Sequence, residues 1–332
     1  MGARRRRVAE AVLLLVGISF GLLALEGLVR LFSPVALPRG GYPVVRGGAS
    51  FRPENRAGYR DVEHDSKKAP GVHRAVFVGD SFTYGAGVLF DDTYAQRVAR
   101  GLRADRGERW EAVVLARPGI ATAEQARMVR EEAFSYEPDM LFLGYVLNDA
   151  ESSDAAERRR ADEWRDAQRR PEDLPLWRRS ALANLAADRV RATLENRRRI
   201  ANYRSLYQDD QPGYRAALQG VKEMAELAHA HKVPLIVAVF PLYGNPMDES
   251  YPFEEVHKKL VAAFRPLGVI VVDLLPYYRG LDWRLLVVEG AADEHPNEIA
   301  HRIAAEAILR TVNGPLNHAA PPPFPGNNEP GK

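Results

Sequence analysis

From residue 74 to 312, short apolar runs alternate with longer segments whose apolar positions recur every three or four residues. The runs 74–78, 112–115, 140–145, 234–240 and 269–274 are rich in β-branched and aromatic residues and have the length of buried strands. The segments 94–103, 123–134, 214–231, 253–264 and 298–312 carry the helical period. Fully apolar strands separated by amphipathic helices predict a parallel sheet with both faces covered. The expected fold class is therefore α/β, a three-layer α/β/α sandwich around a mainly five-stranded parallel sheet. Right-handed crossovers put every strand's carboxyl end on one edge, where open sheets of this kind hold ligands.

The flanks follow a different pattern. Residues 4–7 are all arginine, and 8–32 is an apolar run uncharged from 11 to 25. As a helix the run spans about 37 Å, enough for one tilted membrane crossing. Glu26 and Arg30 fall one turn apart near its far end and can pair there. The positive-inside rule makes 1–7 a basic cytoplasmic segment and 8–32 a transmembrane signal anchor, with the rest extracytoplasmic, in the periplasm or at the cell surface. Residues 33–72, rich in Gly, Pro and charge, read as a juxtamembrane linker with a little edge structure around 57–62. The domain proper is expected over 73–312. It contains a charged insert, about 150–211, whose density of Arg, Glu and Asp predicts solvated helices, with a lid as the functional alternative. The Pro-rich tail 313–332 is expected to be disordered.

Composition narrows the chemistry. An apolar fraction of 46% in 332 residues supports a sizeable core. A net charge of +2 gives no nucleic-acid footprint. The chain has no cysteine, which removes disulfides, thiolate nucleophiles and thiolate metal sites. His229 and His231 end a helical segment without a third ligand close in sequence, so neither a metal nor an organic cofactor is expected.

Four stretches fall where the first three strands end or the last helix begins. Gly79-Asp80-Ser81 breaks the first strand and presents a hydroxyl on the turn. Arg117-Pro118-Gly119 follows the second, and Gly119 can offer an unobstructed backbone N–H. Asn148-Asp149 follows the third, and Asn148 carries a side-chain N–H donor. Asp293-Glu294-His295-Pro296-Asn297 precedes the last helix, where a carboxylate two residues before an imidazole can orient it as a base. Asp80 and Asp149 read as loop-ordering carboxylates, and His301 as a residue packed near the site.

These four blocks, in this order, resemble the SGNH/GDSL hydrolases over essentially residues 74–312. The resemblance implies a flavodoxin-like sheet, Ser81 as nucleophile, His295 as general base and Asp293 as the residue that orients it. It also implies an oxyanion hole from the backbone N–H groups of Ser81 and Gly119 and the Asn148 side chain. Tyr84 and Arg117 are candidate substrate contacts by position. Three departures bear on this: the family's usual acid position is Ala292 here, its usual glycine two residues before the Asn is Val146, and the segment ahead of Gly119 reads Leu-Ala-Arg-Pro in place of the frequent Asn-containing run.

The expected activity is that of a membrane-anchored serine esterase cleaving O-acyl esters, O-acetyl among them, on envelope glycans or lipids. The expected partners are an ester substrate and the membrane, with no nucleic acid. The alternatives are acyl transfer onto a polysaccharide and a non-catalytic envelope binding domain.

Overall fold

The computed structural model describes residues 2–32, 54–151, 180–288 and 294–314. In chain order its principal elements are α1 (Gly2–Phe32), β1 (Val72–Gly79), α2 (Ser81–Tyr84), α3 (Tyr94–Arg106), β2 (Arg109–Ala116), α4 (Thr122–Glu131), β3 (Met140–Tyr145), α5 (Ala181–Leu206), α6 (Pro212–Ala230), β4 (Leu235–Val239), α7 (Glu254–Phe264), β5 (Ile270–Asp273), α8 (Leu275–Tyr278) and α9 (Glu298–Asn313). They fall into two compact units, Met1–Val44 with Ala161–Ala201 and Val45–Arg160 with Asn202–Lys332. The Pro-rich tail beyond residue 314 and the insert residues 152–179 lie outside the described residues.

The larger unit is built on five parallel strands in the order β2-β1-β3-β4-β5. All five expected strands form, and β1 and β2 run further toward their amino ends than the apolar runs alone indicated. Helices α3 and α9 pack together on one face, and α4 packs with α6 on the other, which makes the three layers. The core follows from the strands: every residue of β4 is buried, as are Val76 to Val78 of β1 and Leu141 to Leu143 of β3. Burying these apolar chains is the main stabilising term. The chain reverses its winding direction between β1 and β3, and ligands of doubly wound sheets bind beyond the strand ends at such a switch point.

The stretch preceding β1 is packed, not loose. Tyr59, Arg60 and Asp61 are all buried. The Tyr59 hydroxyl donates to Glu132 at 2.7 Å, and Asp61 Oδ2 accepts from the backbone N–H of Val114 in β2 at 2.7 Å.

In the smaller unit, α1 is the one described helix long and apolar enough to cross a membrane, over Arg6–Phe32, with a mean hydropathy of 2.4 in its richest window. Its apolar side chains are exposed from Val8 to Leu25.

Candidate active site

Ser81 opens α2, a four-residue helix directly after β1. Such a short helix has little intrinsic stability, and side chains from outside it hold both ends. Asp80 is its N-cap, with Oδ1 accepting from the Phe82 N–H at 2.9 Å. At the other end the buried Arg60 guanidinium donates to the carbonyls of Tyr84 (3.1 Å), Gly85 (2.6 Å) and Val88 (2.7 Å). Thr83 points from α2 onto the sheet and shares a 2.9 Å hydrogen bond with the hydroxyl of Tyr94.

Beneath Thr83 lie two glycines paired across the strands, Gly79 of β1 and Gly144 of β3. A Cβ on Gly79 would sit 2.1 Å from Thr83 Oγ1, and one on Gly144 would sit 2.3 Å from the same oxygen and 2.6 Å from the Tyr94 hydroxyl. Only glycine at both positions lets α2 rest this close to the strand ends.

Asn148 stands on the neighbouring strand's exit, in a single 3₁₀ turn, Leu147–Ala150. Its Nδ2 donates to Asp80 Oδ2 at 3.2 Å. The Asp80 carboxylate thus joins the two sides of the switch point, one oxygen on the serine helix and the other on Asn148. Asp149 fixes the turn from inside: Oδ2 accepts from the Val146 N–H at 2.8 Å and Oδ1 from Gln125 Nε2 at 2.7 Å. Burial, and then the charge of Asp80, push the Asp149 carboxyl well above the usual carboxylate range. Gly119 lies in the loop after β2 with φ +76°, a left-handed conformation that suits glycine. That loop is tied to the serine strand by the Arg117 N–H, 3.3 Å from the Gly79 carbonyl.

His295 approaches from the turn before α9, its ring centroid 5.7 Å from that of Phe82, the residue after Ser81. Asn297 locks this turn. Its Oδ1 caps α9 through the Ile299 and Ala300 N–H groups, and its Nδ2 donates to the carbonyls of Leu285 and Val287. Asp293 lies outside the described residues. His301, one turn into α9, is fully buried and accepts from the Tyr94 N–H through Nδ1 at 3.1 Å. Tyr84 and Arg117 both face the segment before β1: the Arg60 guanidinium carbon is 5.7 Å from the Tyr84 ring, and that of Arg117 is 4.9 Å from the Tyr59 ring. No group of three or more His, Asp or Glu suited to a metal ion occurs among the described residues.

The arrangement puts a serine hydroxyl, a side-chain amide and an imidazole around one strand edge. The sequence model of the GDSL-like lipase/acylhydrolase family matches residues 77–303. The chain belongs to that family. No curated protein sequence matches it. Solved structures similar to it include an acetylxylan esterase from Geobacillus stearothermophilus, studied as a catalytic mutant, at 14% identity and TM-score 0.46, covering 75% of this chain and 97% of the other. The lipase/acylhydrolase from Enterococcus faecalis aligns at 16% identity and TM-score 0.43, covering 73% and 96%. A hydrolase from the metagenome of Lake Arreo aligns at 18% and 0.45, covering 73% and 95%.

For a GDSL-like acylhydrolase, two of the supports described above were not visible in the sequence. Arg60 precedes the serine by 21 positions in a Gly- and Pro-rich stretch, and Gln125 is one polar residue on an amphipathic helix. Neither carries a local signal. The loop-ordering role expected for Asp80 and Asp149 is what their hydrogen bonds perform.

Proposed function

We propose that this SGNH-type hydrolase is a membrane-anchored serine esterase that cleaves O-acyl esters of envelope glycans or lipids, with Ser81, His295 and Asp293 as its triad. The observation that supports this most is the Asp80 carboxylate, which joins the helix of Ser81 to the Asn148 amide. An amide nitrogen has two hydrogens. With one of them on Asp80, the other is, in this reading, the donor to the developing oxyanion. The Ser81 and Gly119 backbone N–H groups complete the hole.

In this reading His295 takes the Ser81 proton as Oγ attacks the ester carbonyl. The tetrahedral oxyanion forms against the three donors, and the protonated imidazole gives its proton to the departing alcohol. Water then attacks the acyl-serine as His295 accepts its proton, and the imidazolium returns that proton to Ser81 Oγ as the carboxylic acid leaves. Asp293 holds the imidazole in the required tautomer. The apolar α1 supports an anchor, with residues 4–7 on the cytoplasmic side and the hydrolase unit outside.

Fluorophosphonate labelling of the full-length protein in detergent tests the assignment by intact mass and peptide mapping. A single adduct on Ser81, absent in Ser81→Ala and His295→Ala, is expected. Asn148→Ala is expected to lower kcat by about 10²–10³. A folded protein that takes no label overturns the reading in favour of a binding domain. Acyl transfer to an added acetylatable glycan, in place of acid release, would reassign the enzyme as a transferase.

A further inference from the structure

In the smaller unit, α1 is bare along nearly its whole length, yet it is covered at one place. Val29 is only 8% exposed, and the Glu26 side chain 18%. Glu26 explains the change. Its carboxylate accepts from Ser180 Oγ, the Ala181 N–H and the Leu182 N–H, each at 2.8 Å, and from Arg30 Nε at 2.7 Å. Ser180 Oγ in turn accepts from the Ala183 N–H at 3.0 Å. The first three backbone N–H groups of α5 are thereby satisfied, two of them by a carboxylate borrowed from another helix. A helix start normally meets this need with its own cap or with water.

The depth of that contact gives it meaning. Glu26 lies within the apolar span Arg6–Phe32, about 9 Å short of its end at the helical rise. A carboxylate at that level is costly unless compensated, and the amino end of α5 supplies the compensation. The sequence of α5 matches. Residues 181–187 read Ala-Leu-Ala-Asn-Leu-Ala-Ala, and charge begins only at Asp188, followed by Arg189, Arg191, Glu195 and Arg197 to Arg199. Seven residues of helix cover about 10 Å, a length close to that of the stretch of α1 beyond Glu26. Arg197 and Arg198, further along α5, are exposed, and long basic side chains of this kind suit phosphate headgroups.

We infer that α5 is a second membrane element: its first two turns sit in the outer interface of the bilayer, docked on Glu26 of the anchor, and its exposed Arg197 and Arg198 lie over anionic headgroups. The partner surface is an anionic phospholipid bilayer. This rests on the reading of α1 as a membrane anchor. The start of α5 is then a membrane-seated arm, and the anchor does more than tether.

Because the chain has no cysteine, single cysteines can report the depth of each position. Leu15→Cys, Leu185→Cys and Lys232→Cys proteins, each full-length and carrying an environment-sensitive fluorophore, are reconstituted into phosphatidylcholine/phosphatidylglycerol vesicles containing lipids brominated on the acyl chains. Quenching is expected at positions 15 and 185 and absent at 232. Adding Glu26→Ala should abolish quenching at 185 and leave it intact at 15. Quenching at 15 without quenching at 185 overturns the seated arm and spares the anchor. Failure at 15 overturns the anchor, and the arm with it. Quenching at 185 that survives Glu26→Ala removes Glu26 from its docking role. Hydrolysis of a soluble ester by each labelled protein confirms that it is folded.

Discussion

Replacing Gly144 by alanine tests whether the height of the serine helix is set by paired glycines. The added Cβ would lie 2.3 Å from Thr83 Oγ1 and 2.6 Å from the Tyr94 hydroxyl, while the Tyr94 ring carbon behind it stays at 3.5 Å. Both near atoms are buried and bonded to each other, so neither has room to retreat. Overpacking of this kind costs about 1–3 kcal/mol, and separating the two hydroxyls adds about 1 kcal/mol. The sum, about 2–4 kcal/mol, corresponds to a fall in Tm of roughly 5–15 °C for a unit of this size. Thermal unfolding followed by circular dichroism measures it. Ester turnover should fall as well, because Thr83 and Ser81 share α2. The decisive comparison is made in a Thr83→Ala/Tyr94→Phe background, which removes both oxygens together and is itself close to neutral. There Gly144→Ala should cost under about 1 kcal/mol, a coupling of the size seen between touching side chains. If Gly144→Ala unfolds with the wild type, or is not rescued in that background, the steric account is wrong.

Other expectations concern the groups around the site. Burial, then the nearby charges of Arg97, Arg60 and His295, push the His301 imidazole down to about 3. The unfolded chain therefore binds a proton that the folded chain refuses between about pH 6.5 and 3, and stability drains away as pH falls through that window. From pH 7 to 5 the His301 contribution falls by about 2 kcal/mol; urea titrations at several pH values should show it as the difference between the wild type and His301→Gln. The raised Asp149 carboxyl has the opposite sign, losing stability as pH climbs above the ordinary carboxylate range, so Asp149→Asn should remove that loss from the same titration. Asp149→Ala strands the Val146 N–H and the Gln125 amide and should cost about 2–4 kcal/mol near the ordinary carboxylate range, where the buried acid is protonated. Arg60→Ala leaves three carbonyls around the end of α2 without their shared donor and should destabilise by about 3 kcal/mol or more, with only partial recovery in Arg60→Lys, whose ammonium cannot fork between them.

What the sequence disclosed follows from how local each determinant is. The five strands and the five long helices of the larger unit were legible because burial on both sheet faces forces continuous apolar runs, and one covered side forces a helical period. Their ends were less so: the expected helix 123–134 stops at Glu131 and continues as a 3₁₀ turn, Ala133–Tyr136. The short α2 was invisible as a helix, since its ends are held by Asp80 and by an arginine 21 residues earlier. The placement of Asn148 against Asp80 was not readable either. It depends on the register Gly79↔Gly144, which no single segment encodes. By contrast, the Asp-Ser turn and the His-Pro-Asn run keep their signal in sequence because each works within a few residues: Asp80 caps the helix it precedes, and Asn297 caps α9.

The bond from the Val114 N–H to Asp61 has a consequence for handling the protein. β2 is an edge strand, and its outward backbone groups are a template on which a second chain can add. Asp61, fixed there between the Val62 N–H and His64 Nε2, occupies that rim with a buried carboxylate at 2.7 Å from Val114 N. Trimming the chain back to the start of β1 would keep every strand and yet lay this rim open. A soluble fragment begun at residue 72 should therefore self-associate, whereas one begun before residue 54 keeps its own guard against aggregation.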